Sequence, residues 1–307
     1  MKIDIGSPEI KLETPTFCQT RVSGSTFVNA DCFDVFPFIE DKSIDAIICD
    51  LPYGMTKNNW DSVLPIDKLW KEYNRIIKDN GAIILFGNQP FSSTLIVSNL
   101  KMFRYSLVWE KNKFSDFLNA KRKPMKTNED ILIFYKKQPT YNIQYWYGEP
   151  YKRWNTQEAV DKQTNYGNHK LNVSESKDGK RLPTTVLKFN RVERPSHPTE
   201  KPVELLEWLI KSYTNEGDMV LDNTMGSGTT ILATIKNNRI GIGIEKEKQY
   251  YDVAVRRALK YLGNDTYKNI QEKVNYDKLL SSGMFWEVHP ELSGNWDVDR
   301  EVVQYCH

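Results

Sequence analysis

The sequence predicts an α/β fold built on a parallel sheet, and three observations carry that expectation. Short apolar runs rich in β-branched residues recur along the 307-residue chain, separated by stretches long enough for helices. Helix-period apolar stripes occupy some of those stretches, as in Leu205, Leu206, Leu209, Ile210 and Tyr213. One run, Val220-Leu221-Asp222, leads into a glycine-rich turn and a helix start over Asn223 to Thr230, the usual form of a nucleotide-type cofactor site.

Taken in chain order, residues 1–24 are polar and contain proline, and are expected as an N-terminal arm or cap. Strands follow at Thr26–Asn29, Ile44–Cys49, Ala82–Phe86, Ser106–Trp109 and Asp130–Tyr135, with a helix at Pro65–Lys78. Residues 136–195 break the alternation. They are rich in Asn, Gln, Lys, Tyr and Trp, with Gly148, Gly167 and Gly179 and no long apolar run, and so read as an insertion. Regular structure resumes with the helix Val203–Tyr213, whose first turn suits Pro202. The strand Met219–Leu221, the helix Thr229–Ile235, the strand Ile240–Ile244 and the helix Lys246–Arg257 complete the pattern. Two halves of one domain, 25–135 and 196–260, therefore flank the insertion, and residues 261–307 form an aromatic, acidic extension.

With 39% apolar residues the chain is globular, and its formal charge of +2 does not by itself announce a polyanion binder. The distribution is more telling. Between Lys111 and Lys126 six basic residues face Asp116 alone, and residues 136–195 carry twelve Lys and Arg against six acids. From Tyr261 onward the sign reverses, with eight acids against four basic residues. A basic middle beside an acidic end suits polyanion binding through one face. The four cysteines (Cys18, Cys32, Cys49, Cys306) lack metal-ligand spacing, which favours a reducing compartment over a disulfide or zinc framework. No signal peptide and no run of about 18 apolar residues is evident, so a cytoplasmic protein without a membrane or metal partner is expected. A Gly-x-x-x-x-Gly-Lys-Ser/Thr loop is lacking, which excludes a built-in ATP-driven motor of that type, and no nuclease motif is evident.

The most informative residues are Asp50-Leu51-Pro52-Tyr53, at the end of the apolar run Ile44–Cys49. An acid, a rigid proline and an aromatic ring at a sheet's carboxyl edge present an acceptor and a stacking face where open α/β sheets bind ligands. That combination suits gripping a planar base by its exocyclic amino group. Downstream, Gly226 and Gly228 permit close backbone approach to a cofactor, and Glu245 ends the next strand 17 positions after Gly228. This is close to the spacing at which an acid accepts both ribose hydroxyls.

In these motifs and their order the chain resembles the β-class, or permuted, DNA amino-methyltransferases that use S-adenosylmethionine and act on adenine N6 or cytosine N4. Asp50 to Tyr53 is similar to that family's Asp-Pro-Pro-Tyr motif, with Leu51 in place of the first proline. His197-Pro198-Thr199-Glu200-Lys201-Pro202 resembles the segment before its glycine-rich strand, and residues 220–230 resemble the glycine-rich motif itself. Asn223 and Thr224 stand where the family commonly has proline and phenylalanine. The resemblance runs from about Phe27 to about Leu259.

It implies a Rossmann-like, circularly permuted, seven-stranded methyltransferase sheet with an inserted target-recognition region at 136–195. Asp50, Pro52 and Tyr53 would be catalytic: Asp50 accepts one amino hydrogen, the carbonyl of Leu51 or Pro52 the other, and Tyr53 stacks on a flipped base. S-adenosylmethionine would meet Asp31, Cys32, Asp50, Thr199, Lys201, Asp222, Thr224, Gly226, Ser227, Gly228, Thr229 and Glu245. Asp31 also suits a simple helix cap, and His197 a structural role. Lys111, Lys113, Lys121, Arg122 and Lys123, beside Phe114 and Phe117, suit phosphates and the gap a flipped base leaves. Arg153, Asn155 and Gln157 are candidate base readers. The expectation is thus a double-stranded DNA methyltransferase acting on adenine N6, because an acid at position 50 favours adenine in that family. The alternatives are a cytosine N4 enzyme, an RNA substrate and a non-catalytic nucleic-acid binder. Dimerisation is common in the class, which leaves a homodimer open on the resemblance alone. The setting is a restriction–modification subunit, an orphan or a phage-borne enzyme.

Overall fold

The computed structural model describes residues 2–3, 10–11, 17–53, 63–153, 174–193, 195, 200–263 and 302–305. Its main body holds a ten-stranded sheet. In chain order the strands are β1 (Cys18–Val22), β2 (Ser25–Asn29), β3 (Ile44–Cys49), β4 (Ile77–Gly87), β5 (Phe103–Ser115), β6 (Lys126–Phe134), β7 (Val186–Lys188), β8 (Met219–Asp222), β9 (Ile240–Glu245) and β10 (Val302–Tyr305). Across the sheet they run β7-β5-β6-β4-β3-β8-β9-β2-β1-β10. The five central strands β4, β3, β8, β9 and β2 are parallel, whereas β6 and β1 run antiparallel to their neighbours.

The pairing of β8 with β3 positions the site. Val220 lies beside Ala46 and Leu221 beside Ile47, so two segments far apart in sequence share the sheet centre. Their carboxyl ends therefore open side by side, at the edge where such sheets take ligands. Period-two alternation decides which way the β3 side chains face. Ile47 and Cys49 pack with Leu69, Trp70, Tyr73 and Ile76 of α2 (Ile66–Ile76). Ala46 and Ile48 pack on the other face with Leu205, Leu206, Leu209, Ile210 and Tyr213, which confirms the expected stripe on the helix Val203–Tyr213. Counting helices in chain order, α1 is Cys32–Val35, α3 is Phe91–Ser98, α4 is Val203–Tyr213, α5 is Thr229–Lys236 and α6 is Lys248–Tyr261.

All seven expected strands are present, and β1, β7 and β10 extend the sheet in ways that were not foreseen. Residues 18–22, assigned to an arm, instead pair along β2. The stretch Lys111–Lys126 is less of a loop than expected, since β5 runs on to Ser115 and β6 begins at Lys126, pairing as a hairpin with an irregularity between Glu110 and Ser115. Residues Asn142–Thr185 form a second compact unit, inside the stretch 136–195 that was expected as an insertion. That unit has two short antiparallel pairs, Tyr151–Arg153 with Ser174–Ser176 and Lys180–Arg181 with Trp146–Tyr147. Cys18 is disulfide-bonded, against the expectation from cysteine spacing, whereas Cys32 and Cys49 are free thiols.

Candidate active site

A cavity of about 330 Å³ opens at the carboxyl ends of β3 and β8, and Asp50, Pro52 and Tyr53 form one wall of it. Asp50 follows directly on β3, so its backbone is fixed by the parallel strands on either side. Leu51, the departure from proline, is only 3% exposed and belongs to the hydrophobic core. An apolar side chain at this position thus anchors the motif by packing. Tyr53 lays its ring 5.0 Å from that of Phe91 and donates its hydroxyl to Asp50 Oδ1 at 2.5 Å. The Asp50 backbone carbonyl accepts the Thr224 hydroxyl at 3.2 Å, leaving the carbonyls of Leu51 and Pro52 as the motif's candidate second acceptors.

The second Asp50 oxygen meets Lys201. This ammonium also lies 3.3 Å from Glu129 Oε2, and Glu129 is paired in turn with Lys111. Burial pushes the Asp50 carboxyl up from its ordinary value, and Lys201 opposes that push. Burial also lifts the Tyr53 hydroxyl far above its usual range, so it serves as a neutral donor. Lys201 loses hydration through burial, but Asp50 and Glu129 more than compensate and raise it.

The glycine-rich turn forms the opposite wall. Asp222 is 3% exposed, accepts the Thr224 N–H at 3.2 Å, and is pushed by burial up to about 7. Asn223 accepts the Tyr73 hydroxyl at 2.5 Å and the Cys49 thiol at 3.0 Å, so this second departure from the family pattern clamps β8 to β3. Gly226 takes φ +52 and donates its N–H to Glu245 Oε2 at 2.9 Å. Glu245 Oε1 accepts the Glu247 N–H at 2.8 Å. Two backbone donors thus aim this carboxylate at the end of β9, where burial raises it.

Gly228 also has a packing part that was not expected. It takes φ +73 at the start of α5, and a Cβ there would sit 2.5 Å from Ala254 Cβ. It permits α6 to pack against the turn and is not part of the cavity wall. Ser227 and Thr229 do line the cavity, and both are gripped from behind. Arg257 donates to Ser227 O and Oγ, each at 2.8 Å, and to Thr229 Oγ1 at 2.9 Å, and pairs with Glu200 at 2.8 Å. Asp31 caps α1 through the Phe33 N–H at 3.0 Å, one of the two roles considered for it, and it also lines the cavity. Cys32 beside it is buried, and its thiol is pushed up to about 12. Thr199 and His197 lie outside the described residues.

The basic hairpin divides. Lys113, Lys121, Arg122 and Lys123 are exposed, as are Phe114 and Phe117, with Lys123 paired to Asp116. Lys111 is not a surface cation, because its side chain is 8% exposed, lies 4.8 Å over the Trp109 ring and pairs with Glu129. Period-two alternation carried on from Leu107 and Trp109 would have placed Lys111 on that inner face. Glu129 was missed, though it sits in register with Trp109 next to the apolar run Ile131–Phe134. Arg257 and Glu200 were also missed. The Arg153 side chain, Asn155 and Gln157 lie outside the described residues. Among the described residues no cluster of three or more His, Cys, Asp or Glu has metal-holding geometry, and no helix is long and apolar enough to cross a membrane.

A family model described as DNA methylase matches residues 44–256. The chain is 28% identical over 287 residues to the DNA adenine methyltransferase YhdJ of Escherichia coli K12, a match covering 87% of this chain and 94% of that protein. It is 28% identical over 255 residues to the Type II methyltransferase M1.MboII of Moraxella bovis, covering 73% and 92%. Among solved structures, the complex of M1.HpyAVI with SAM superposes with a TM-score of 0.52 and 26% identity, over 75% of this chain and 98% of that one. The cytosine-N4-specific PvuII DNA methyltransferase superposes with a TM-score of 0.56 at 15% identity, over 76% and 86%, a likeness of fold alone.

Proposed function

We propose that this chain, which belongs to the DNA methylase family, moves the methyl group of S-adenosylmethionine to N6 of an adenine turned out of duplex DNA. The observation that carries this is the meeting of the Asp50–Tyr53 pair, the glycine-rich turn and Glu245 around one cavity. The relatives YhdJ and M1.MboII are named as a DNA adenine methyltransferase and a Type II methyltransferase, which supports the same reading.

The donor set fits the cofactor. Glu245, held by two backbone N–H groups, would accept the ribose hydroxyls, and Asp31 would accept from the adenine amino group. Asp222, Thr224, Gly226, Ser227 and Thr229 line the wall between. When bound, the cofactor supplies an electrophilic methyl group on a sulfonium.

The protein's task is to make a poor nucleophile adequate. An exocyclic nitrogen shares its lone pair with the ring, and bonding its hydrogens to preorganised acceptors favours the tetrahedral form that attacks. Asp50 accepts one hydrogen and the carbonyl of Leu51 or Pro52 the other. Flipping the base costs a few kcal/mol, which stacking on Tyr53 and the edge hydrogen bonds offset. Lys113, Lys121, Arg122 and Lys123 take phosphates, and the 136–195 insertion reads the site. A cytoplasmic enzyme and a homodimer belong to the same reading, and sedimentation checks the second.

The test is modification sequencing and nucleoside mass spectrometry on DNA from a methylation-free host expressing the chain, beside an Asp50→Ala control. N6-methyladenine at one short motif, absent from the control, is expected. N4-methylcytosine alone would overturn the choice of base, and unmodified DNA in both samples would favour a binding-only protein.

A further inference from the structure

We propose that Lys201 is a positioning residue for methyl transfer: with Glu129 and Lys111 behind it, it holds the buried Asp50 carboxylate ionised and aimed. This inference rests on the function proposed above. It departs from the part first expected of Lys201, a contact to the cofactor's carboxylate.

The geometry is a chain of alternating charge running inward from the cavity. Tyr53 fixes one Asp50 oxygen at 2.5 Å and Lys201 takes the other. The same ammonium reaches Glu129 at 3.3 Å, and Glu129 is held by Lys111 from the next strand. Lys201 also lies 5.1 Å over the Phe86 ring, so its apolar and charged surroundings both fix its place. The side chains of Lys201 and Lys111 are each 8% exposed and that of Glu129 12%, so the row is nearly closed to water. Two carboxylates and two ammonium groups balance. A buried carboxylate without a partner would take up a proton instead of staying charged. A protonated Asp50 loses the acceptor strength that the amino group needs.

The groups acting on Asp50 come from every side. Tyr53 lies on its own segment, Glu129 on β6, Lys201 just before α4 and Asp222 at the end of β8. Lys111 on β5 acts through Glu129, and Asp130 acts on Tyr53. Of these only Lys201 puts a positive charge against Asp50. Removing it leaves Asp50 and Glu129 facing one remaining ammonium, and the excess negative charge is relieved by protonating Asp50.

The experiment measures single-turnover methyl transfer from labelled S-adenosylmethionine to DNA of a methylation-free host, from about pH 5.5 to about 8.5. It compares wild type, Lys201→Met, Lys201→Arg, Glu129→Gln and the Lys201→Met, Glu129→Gln double variant. Calorimetry with S-adenosylmethionine and thermal unfolding accompany each. In Lys201→Met the acid limb of the rate is expected to move up by about one pH unit, with cofactor affinity within about twofold of wild type. The double variant, which restores the charge balance, is expected to return the limb toward wild type, and Lys201→Arg to stay near it. Glu129→Gln alone keeps Lys201 and moves the limb down, so it tests the row even if Lys201→Met does not fold. An unmoved limb with weakened cofactor binding would overturn the inference in favour of a cofactor contact. A loss equal at every pH would overturn it in favour of a merely structural lysine. A wild-type protein that transfers no methyl group at any pH fails the functional reading itself, and this inference with it.

Discussion

Tyr53 donates its hydroxyl to Asp50 Oδ1 at 2.5 Å, from three positions further along the same segment. The motif thus binds itself before any base arrives. The tyrosine ring and the carboxylate are locked together, and packing against Phe91 holds the ring in turn. Preorganisation of this kind gives an acceptor its value in a site that excludes water.

Replacing Tyr53 separates its two contributions. Tyr53→Phe keeps the ring and deletes the bond to Asp50, and is expected to lower kcat by roughly 10- to 100-fold, the range for a hydrogen bond to a charged group. Tyr53→Ala also removes the stacking face and is expected to cost more. Asp50→Ala should abolish methyl transfer while leaving S-adenosylmethionine binding measurable by calorimetry. Equal rates for Tyr53→Phe and wild type would show that the hydroxyl contributes nothing to orientation.

Asp222 gives the ligand-free protein a pH dependence of definite sign. In an unfolded chain aspartate ionises near pH 4, whereas in the fold burial raises Asp222 to about 7. Between those values folding binds a proton that the unfolded chain has lost. This group's contribution therefore falls as pH rises through the window, is constant below it, and stays at its lower level above it. Asp222→Asn keeps the shape and cannot ionise. Relative to wild type it is expected to gain on the order of 1.4 kcal/mol per pH unit across that window. Urea unfolding of both proteins at pH 5 and pH 7 checks this, and parallel pH profiles would refute it.

Gly228 offers a test of fold against function within the glycine-rich motif. A methyl group there meets both a positive φ and the Ala254 Cβ 2.5 Å away. Gly228→Ala is expected to destabilise the protein by about 2–3 kcal/mol through strain and overpacking. The melting temperature should fall, while cofactor affinity of the folded fraction stays near wild type. Weakened binding without a change in stability would return Gly228 to the cofactor wall.

The residues that could be found in the sequence share a property: local pattern fixes them. Asp50 and Glu245 each follow or end a buried run, so a strand reading alone puts them at the sheet's carboxyl edge. Asp31 and Lys201 were found through resemblance, but their partners were not. Glu129, Arg257 and Glu200 act through contacts across the fold, 72 positions separating Glu129 from Lys201, and nothing local announces such a pair. Leu51 and Asn223 looked like lapses from the family pattern. One packs into the core and the other clamps two strands, roles visible only once β3 and β8 lie side by side. The edge strands β7 and β10 were missed because short edge strands need no continuous apolar run, and β1, which lies between β2 and β10, because Gln19, Thr20 and Arg21 make it largely polar. Lys111 was misplaced because a count of charges does not distinguish the two faces of a strand.

That last distinction yields a prediction about DNA. Lys113, Lys121 and Arg122 are exposed on the hairpin, whereas Lys123 already faces Asp116. Changing the first three to Gln is expected to weaken binding of duplex DNA about equally across sequences. The slope of log affinity against log salt should become shallower by about 0.9 for each phosphate that is no longer neutralised. Lys111→Met should leave that slope unchanged, since its ammonium faces Glu129 rather than solvent. It should instead reduce stability, by about 3–5 kcal/mol if the remaining charge stays uncompensated, and by less to the extent that Lys201 takes up the load. Fluorescence anisotropy over a salt series, beside urea unfolding, separates the two classes of lysine. If Lys111→Met flattened the salt slope as much as the exposed variants do, the inward-facing row of charges would be wrong. If none of the exposed variants changed it, the phosphate surface would have to be sought elsewhere on the chain.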